Sequence, residues 1–360
     1  MTRLVLIDGP SYLYRAFHAL PPLSNAAGEP TGALFGVVNM LRGHLKEAPE
    51  HIAFVLDASG PTFRDALFPE YKAQRPPMPD ELRAQVAPMM AIVQALGIPL
   101  LRVTGVEADD VIGTLAVQAA AQGMQVVVST SDKDMAQLVR PGVKLVNTMS
   151  GSRLDSDAAV LAKFGVRADQ IIDYLALMGD TVDNIPGVPK CGPKTAAKWL
   201  AEYHTLDGVI ANADKIGGKI GENLREALPR LPLNRTLTTI KTDVALEQGP
   251  QALALRARDV EALRDLYARY GFNQALKELN GGATSAIAGT VTVPTTNGRG
   301  FVAPAQAITQ AVDPAWSAAG SYTSVLTHEQ LQDWVARLQA AGAFAIDTET
   351  DSLDPLQANL

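Results

Sequence analysis

The sequence has almost no cysteine and no long apolar run. Cys191 is the single cysteine among 360 residues, so an intrachain disulfide is excluded. The first apolar run, residues 4–7, is followed at once by Asp8 and is too short for a signal peptide or a membrane span. With 47% hydrophobic and 19% charged residues, the chain can bury more than one core. We therefore expect a soluble, cytoplasmic protein with no membrane association.

The chain also lacks an excess of positive charge. Its 31 Lys and Arg residues against 38 Asp and Glu residues give a net charge of -7. Proteins that bind nucleic acids usually carry a basic surface, so this balance counts against such a role if the acids are evenly spread. They are not evenly spread, because residues 187–241 contain nine Lys or Arg against five acids. A local basic surface is therefore expected.

The order of apolar patterns indicates the fold class. Short apolar runs at residues 4–7, 52–56, 100–103 and 126–129 alternate with helical patterns such as residues 110–121. This alternation predicts an α/β fold with a mostly parallel central sheet and flanking helices. Helical patterns then dominate residues 171–279, where Asp259 is a predicted N-cap, and predict a helical subdomain.

The end of the chain reads differently. Residues 281–320 are rich in Ala, Thr, Pro and Gly, and Arg299 and Asp313 are their only charges. This composition predicts a flexible linker. Residues 321–360 return to a strand, helix and strand pattern.

Acidic residues follow the predicted strands. Because the carboxyl ends of parallel strands meet at one crevice, we expect these side chains to converge there. They are Asp8, Asp57, Glu107, Asp109, Asp110, Asp132 and Asp134, with Asp180 and Asp183 at a helix end within reach. Two bare charges about 4 Å apart repel by roughly 4 kcal/mol at an effective dielectric constant of about 20, so such a cluster needs cations. Oxygen ligands without a His or Cys pattern favour Mg²⁺ or Mn²⁺ over zinc.

Each acid taken alone has a simpler explanation. Asp109 and Asp110 can complement a helix N-terminus, Asp8 can begin an Asp-Gly turn, and Asp134 can be an exposed loop charge. Their joint position after the strands favours a shared site. A metal pair in such a crevice suits hydrolysis of a phosphodiester.

The segment GVPKCGPKT, residues 187–195, approaches the Walker A pattern. Pro193 has no N–H to offer a phosphate, and the preceding residues are not a strand, so a P-loop NTPase is excluded. The proline instead predicts the first position of a helix, with Lys194 and Lys198 on one outer face. A lysine in the first turn opposes the helix dipole, which favours a bound backbone phosphate; a solvated lysine face is the alternative.

Seven motifs carry a family resemblance. In order they are LIDG, FVLDA, YKAQRPPMP, GVEADDVIGTLA, STSDKDMAQLV, LMGDTVDNIPGVPKCGPKTAAKWL and TIKTDVALE, spread over residues 1 to about 280. Together they resemble the 5′ nuclease of bacterial DNA polymerases I, in the flap endonuclease superfamily. A shorter match, FAIDTETDSLDP with Asp347 and Glu349, is similar to the first metal motif of the 3′-to-5′ proofreading domain. Only its opening is present, so we expect no proofreading activity.

The resemblance implies an organisation in four parts. Residues 1–170 would be the α/β nuclease core with the acidic metal site, and residues 171–280 a helical DNA-binding subdomain with a helix-three-turn-helix. Residues 281–320 would be the linker, and residues 321–360 the truncated start of the 3′-to-5′ exonuclease domain. A helical arch or gateway is expected around the YKAQRPPMP motif.

The resemblance also implies residue roles. Asp57, Glu107 and Asp109, supported by Asp8, would hold one ion, and Asp110, Asp132, Asp134, Asp180 and Asp183 would hold or orient a second. Lys72 and Arg75 would be catalytic, contacting the scissile or a neighbouring phosphate. The implied DNA-binding residues are Arg64, Tyr71, Gly187, Lys190, Gly192, Lys194, Thr195 and Lys198. A K⁺ ion on main-chain carbonyls is implied at the helix-three-turn-helix, but Lys190 and Cys191 depart from the family's GVPGVG and leave that site open.

The implied function is a structure-specific 5′-to-3′ exonuclease and 5′-flap endonuclease, used in RNA primer removal and excision repair. Its partners would be flapped, nicked or RNA-primed duplex DNA and, in the full-length protein, polymerase and proofreading domains; the chain is expected to be monomeric. The alternative is a non-catalytic duplex-DNA-binding module, which would not need the acids. An aspartyl phosphatase would want D-x-D after the first strand, and DGP lacks the second acid. A single-strand ribonuclease would not need the basic helical region.

Overall fold

The computed structural model describes residues 2–280 and 327–340. Its central sheet has six strands, and helices cover both faces. The strands are β1 Arg3–Asp8, β2 His51–Val55, β3 Leu100–Leu101, β4 Gln125–Ser129, β5 Val143–Val146 and β6 Arg153–Leu154. The helices of this part are α1 Gly9–Ala19, α2 Gly32–Lys46, α3 Phe63–Leu67, α4 Asp80–Ala95, α5 Ala108–Ala121 and α6 Asp157–Phe164.

The sheet confirms the predicted fold class. The strand order is β3-β2-β1-β4-β5-β6, and every neighbouring pair is parallel except β5 with β6. The chain moves outward from β1 in one direction and from β4 in the other. A crevice therefore opens between the carboxyl ends of β1 and β4, the position at which open α/β sheets bind ligands.

Strand β1 lies at the centre because its residues are apolar on both faces. Leu4 and Leu6 pack into a core with α5, while Val5 and Ile7 pack into a second core with α1, α2 and α4. All four side chains are fully buried. Asp8 is the first charged residue after this run, so burial of the strand brings its carboxylate to the sheet edge.

A mainly helical region follows the sheet. It contains α7 Ile171–Met178, the short strands β7 Gly179–Asp180 and β8 Ile185–Pro186, then α8 Pro193–Tyr203, α9 Leu206–Ala211, α10 Gly218–Ala227, α11 Leu231–Thr238, α12 Val260–Tyr270 and α13 Asn273–Leu279. Helix α8 begins at Pro193, as predicted, and the side chain of Asp259 caps α12 by accepting from the Ala262 N–H at 3.0 Å. Helices α12 and α13 return to pack on the core that holds α2 and α4.

Some elements were not predicted. Strands β5 and β6 and the β7–β8 hairpin are short, and such runs carry little periodicity for a sequence pattern to show. In the segment expected to form an arch, α3 is followed by turns at residues 69–74 and by irregular chain up to residue 79, after which α4 begins. Helix α14 His328–Ala340 is the described element of the second compact unit, Ile287–Leu360. The predicted linker, Asp347 and Glu349 lie outside the described residues. No helix among the described residues is long and apolar enough to cross a membrane.

Candidate active site

A cavity of about 950 Å³ opens at the carboxyl ends of the central strands. Its lining contains eight of the nine predicted carboxylates: Asp8, Asp57, Glu107, Asp109, Asp132, Asp134, Asp180 and Asp183. They come from segments far apart in sequence: the last residue of β1, the residues after β2, β3 and β4, and the residues around β7. The parallel sheet brings these segments together because each strand ends at the same edge. The predicted convergence of the acids on one crevice is therefore observed.

Asp8 is fixed at the floor of the cavity. Its Oδ1 accepts from the Ser11 N–H at 3.0 Å and so caps α1, and its Oδ2 accepts from the Thr130 hydroxyl at 2.5 Å. Burial, together with the nearby charges of Asp132 and Asp57, raises the pKa of Asp8 to about 7, although both hydrogen bonds oppose the change. The carboxylate is thus held in place while its ionised form is disfavoured.

Three further acids show the same electrostatic conflict. Burial raises the pKa of Asp109, Asp132 and Asp134 above the ordinary value of 3.8, and the charge of Asp132 adds to the effect on the other two. The Asp134 N–H donates to Asp132 Oδ1 at 2.9 Å, which links the two side chains. The buried Asp134 Oδ1 has no hydrogen-bond partner. An ionised, buried and unpartnered carboxylate oxygen is unfavourable unless a cation approaches it.

Basic side chains of the protein reach into the cavity. Lys72 Nζ contacts Glu107, Arg75 contacts Asp183, and Lys133 Nζ lies 2.7 Å from Asp180 Oδ2. Burial opposes protonation of Lys72, but the charges of Glu107 and Asp183 raise its pKa. Within the described ranges, no three His, Cys, Asp or Glu side chains are already grouped as a metal site. In this arrangement, lysine and arginine side chains of the protein form ion pairs with the cavity acids.

Comparison with known proteins places the chain in a family. A model described as 5′-3′ exonuclease, N-terminal resolvase-like domain matches residues 3–165, and one described as 5′-3′ exonuclease, C-terminal SAM fold, matches residues 166–261. The chain belongs to the 5′-3′ exonuclease family. The interpretation of the sequence as a nuclease is therefore confirmed.

Two relatives of this 5′-3′ exonuclease family illustrate the similarity. A DNA polymerase I of Pseudomonas aeruginosa is 49% identical over 99% of the chain, but the match covers 38% of that protein. A 5′-3′ exonuclease of Aquifex aeolicus is 37% identical over 78% of the chain and 96% of its own length. The chain thus spans well under half of the polymerase and corresponds to nearly all of the shorter exonuclease.

Solved structures share the fold of this exonuclease chain. The T5 D15 protein co-crystallised with metal ions has a TM-score of 0.57 at 18% identity, over 77% of this chain and 98% of that one. The catalytic core of Rad2 in complex with a DNA substrate has a TM-score of 0.52 at 14% identity, over 77% and 91%. At these identities the likeness concerns the fold alone.

The structure corrects the predictions for Arg64 and Asp110. Arg64 was predicted to bind DNA, but it is 2% exposed, and its guanidinium forms a bidentate ion pair with Asp110. Asp110 was predicted as a metal ligand, but it is fully buried, lies outside the cavity lining, and accepts from Arg64 and from the N–H groups of Glu107 and Lys241. Both side chains can be buried because each neutralises the charge of the other and forms hydrogen bonds with it.

Tyr71, also predicted to bind DNA, is 4% exposed. Its hydroxyl lies 3.0 Å from Glu107 Oε2 and 3.1 Å from Asp183 Oδ2. Burial and these two carboxylates raise its pKa, so the phenol stays protonated and donates to the acids. Tyr71 therefore lines the acid cavity with its hydroxyl turned to the two carboxylates, and it leaves little surface exposed.

The basic helix α8 presents its lysines to solvent. Lys190, Lys194 and Lys198 are exposed, and none of them is in an ion pair within the part of the chain that the structure describes. Ala196 and Leu200 face the core on the opposite side. Lys190 has φ of 67°, a left-handed conformation that costs a residue with a Cβ about 1–2 kcal/mol. The lysine thus stands, at the position where the family pattern has glycine, in a conformation that favours glycine.

Side chains hold the turn that precedes α8. Asn234 donates to the Pro186 carbonyl at 2.7 Å, Arg230 to that of Gly187 at 2.9 Å, and Asn223 to that of Pro189 at 2.8 Å. Three carbonyls of this turn therefore already accept hydrogen bonds from α10, α11 and the residues between them. Whether a K⁺ ion also binds there stays a prediction.

Several cavity residues were missed from the sequence. Arg15, His18, Arg102 and Lys133 line the cavity, and Thr130 connects Asp8 to the Asp132 N–H. The spacing of Asp8, Ser11 and Arg15 places them on one helix face, which is a signal available in the sequence. Lys133 lies between the predicted ligands Asp132 and Asp134 in the sequence, so its place in the cavity could also have been predicted.

Proposed function

We propose that the chain is the 5′ nuclease part of a DNA polymerase I. It would act on 5′-flap, nicked or RNA-primed duplex DNA, cutting near the junction of single and double strands to leave a 5′-phosphate and a 3′-hydroxyl. This activity would serve RNA primer removal and excision repair in the bacterial cytoplasm. The observation that carries the proposal is the single cavity lined by eight carboxylates at the end of a parallel sheet.

We propose that the cavity holds two divalent ions. All candidate ligands are carboxylate oxygens, which suit Mg²⁺ or Mn²⁺, and the unpartnered Asp134 Oδ1 is an oxygen that an ion would satisfy. Asp57, Glu107 and Asp109, supported by Asp8, would hold one ion; Asp132, Asp134, Asp180 and Asp183 would hold or orient the other. Bound ions would supply Lewis acidity at the scissile phosphate. Asp110 is not included in this set, because both of its carboxylate oxygens are paired with the Arg64 guanidinium.

Lys72 and Arg75 are proposed to act on the substrate. They lie at the cavity wall, and each is bonded to a carboxylate that a cation would otherwise neutralise. With the acids neutralised by a cation, these contacts would lose their electrostatic advantage, and the two side chains would be free to turn to a phosphate. There they would stabilise the charge that develops on the phosphate oxygens.

Duplex DNA is proposed to bind across the turn and first half of α8. The turn residues Gly187, Lys190 and Gly192 and the helix residues Lys194, Thr195 and Lys198 would contact the phosphate backbone. Such contacts fix the position of a duplex without reading its bases. The exposure of the three lysines supports this role.

The test is cleavage of a labelled 5′-flap duplex by the purified chain with and without Mg²⁺. Asp109→Ala and Asp134→Ala should abolish cutting, because each removes a half-buried cavity carboxylate of one ion set. Asp265→Ala is the matched control, since Asp265 is an exposed acid on α12 that lies outside the cavity. Wild-type cutting by either cavity variant would overturn the metal assignment.

The same experiment distinguishes a nuclease from a protein that only binds duplex DNA. A non-catalytic duplex-binding module would bind the flap duplex and leave it intact at every metal concentration.

The polymerase and proofreading domains are proposed as partners in the full-length protein. The chain itself is proposed to be a monomer, and analytical sedimentation would test this.

A further inference from the structure

A short segment of main chain connects the helical region to the acid cavity. Residues 237–241 span the end of α11, and their backbone groups are bonded to side chains from two distant parts of the core. Gln137 donates to the Thr238 carbonyl at 3.0 Å and accepts from the Ile240 N–H at 3.0 Å. The segment is therefore held beside the short helix that begins at Asp134.

Arg64 bonds to the other side of this segment. Its Nε donates to the Leu237 carbonyl and its Nη2 to the Thr239 carbonyl, both at 2.9 Å. Asp110 completes the connection by accepting from the Lys241 N–H at 2.8 Å. One buried ion pair thus engages the 237–241 segment at three alternate residues.

The same ion pair also fixes the position of Glu107. Arg64 Nη1 lies 3.1 Å from Glu107 Oε2, and Asp110 Oδ2 accepts from the Glu107 N–H at 3.0 Å. Both the backbone and the carboxylate of Glu107 are therefore fixed from one side. Arg64 is 2% exposed and Asp110 is fully buried, so neither can reach a duplex.

We propose that Arg64 is a positioning residue of the nuclease, which sets Glu107 in the acid cavity against the 237–241 segment of the helical region. The inference rests on the proposed function, in which Glu107 holds an ion and the helical region grips the duplex. A planar guanidinium can bond two carbonyls and two carboxylates at once, whereas a lysine ammonium offers only a compact charge. Replacing Arg64 by lysine keeps the charge beside Asp110 and removes the bridge.

The first experiment measures Mn²⁺ binding without DNA, from the electron paramagnetic resonance signal of free Mn²⁺. Groups that orient a metal ligand typically change metal affinity by about 10- to 100-fold when they are removed, so Arg64→Lys should weaken Mn²⁺ binding by about 10-fold or more. Arg167→Lys is the control, because Arg167 forms an exposed ion pair with Asp169 away from the cavity. Circular dichroism verifies that each variant is folded.

The second experiment follows flap cleavage as a function of Mg²⁺ concentration. For Arg64→Lys, the Mg²⁺ concentration at half-maximal rate should rise by about 10-fold and kcat should recover at high Mg²⁺. A purely structural defect would lower the amount of active protein without moving this midpoint. If the lysine variant does not fold, the neutral pair Arg64→Gln with Asp110→Asn replaces it, since that pair leaves no unpaired buried charge.

The experiments distinguish failure of the proposed function from failure of the positioning role. Failure of the wild-type chain to cut any flap would overturn the proposed function, while the Mn²⁺ measurement would still test Arg64. Wild-type Mn²⁺ affinity in a folded Arg64→Lys variant, or in the folded neutral pair, would refute the positioning role whatever the activity.

Discussion

The raised pKa of Asp8 makes a quantitative prediction for the metal-free protein. The pKa is about 7 in the folded chain, against an ordinary value of 3.8, and the folded state therefore binds a proton that the unfolded state releases between these values. The free energy of unfolding must fall as pH rises from about 4 to about 7. At 1.36 kcal/mol per pKa unit, a difference of about 3 units corresponds to a loss of about 4 kcal/mol. The raised pKa values of Asp109, Asp132 and Asp134 act in the same direction.

Asp8→Asn removes the ionisation and keeps the shape of the side chain. Its amide oxygen can still accept from the Ser11 N–H, but the Thr130 hydroxyl loses its carboxyl acceptor, a cost of about 1 kcal/mol. At pH 4.5 the wild type has already lost about 1 kcal/mol of this stability, so we expect the variant to be about as stable as the wild type there and about 3 kcal/mol more stable at pH 8. The divergence of the two stability curves as pH rises is the signature of a buried, uncompensated charge.

The assay is urea unfolding followed by circular dichroism at pH 4.5, 6 and 8 in the presence of EDTA. Asp265→Asn, at an exposed acid, is the control and should parallel the wild type. Adding Mg²⁺ at pH 8 should stabilise the wild type more than Asp8→Asn, because a bound cation relieves the charge that the asparagine lacks. Parallel curves for Asp8→Asn and the wild type at all three pH values would refute the reasoning.

Two further predictions concern the helical region. Lys194→Ala combined with Lys198→Ala should weaken binding to all duplex sequences alike and reduce the slope of log affinity against log salt by about 2, as measured by fluorescence anisotropy from 50 to 200 mM salt; an unchanged slope would contradict the phosphate contacts. Burial raises the pKa of Cys191 to about 12, so the folded chain should resist iodoacetamide at pH 8 and react once unfolded in urea. Rapid alkylation of the folded chain, seen by mass spectrometry, would show that the thiol is not enclosed.

Much of the acid cavity could be predicted because the information is local. An apolar run followed by an acid, as in residues 4–8, places a carboxylate at the end of a strand, and parallel strands end at one edge. The start of α8 at Pro193 and the cap of α12 by Asp259 depend on neighbouring residues only, so they were also readable. The sequence alone thus determined the fold class, the convergence of the acids and several helix starts.

Only the tertiary structure decided how individual side chains are used. Arg64 and Asp110 looked like a DNA contact and a metal ligand, and they became a buried pair because α3 packs against α5 and the end of α11. The contacts of Lys72 with Glu107 and of Lys133 with Asp180 likewise join residues 35 and 47 positions apart. A charged side chain has the same local pattern whether it faces solvent or a buried partner. The partner is chosen by packing between distant segments, and that information appears only when the chain is folded.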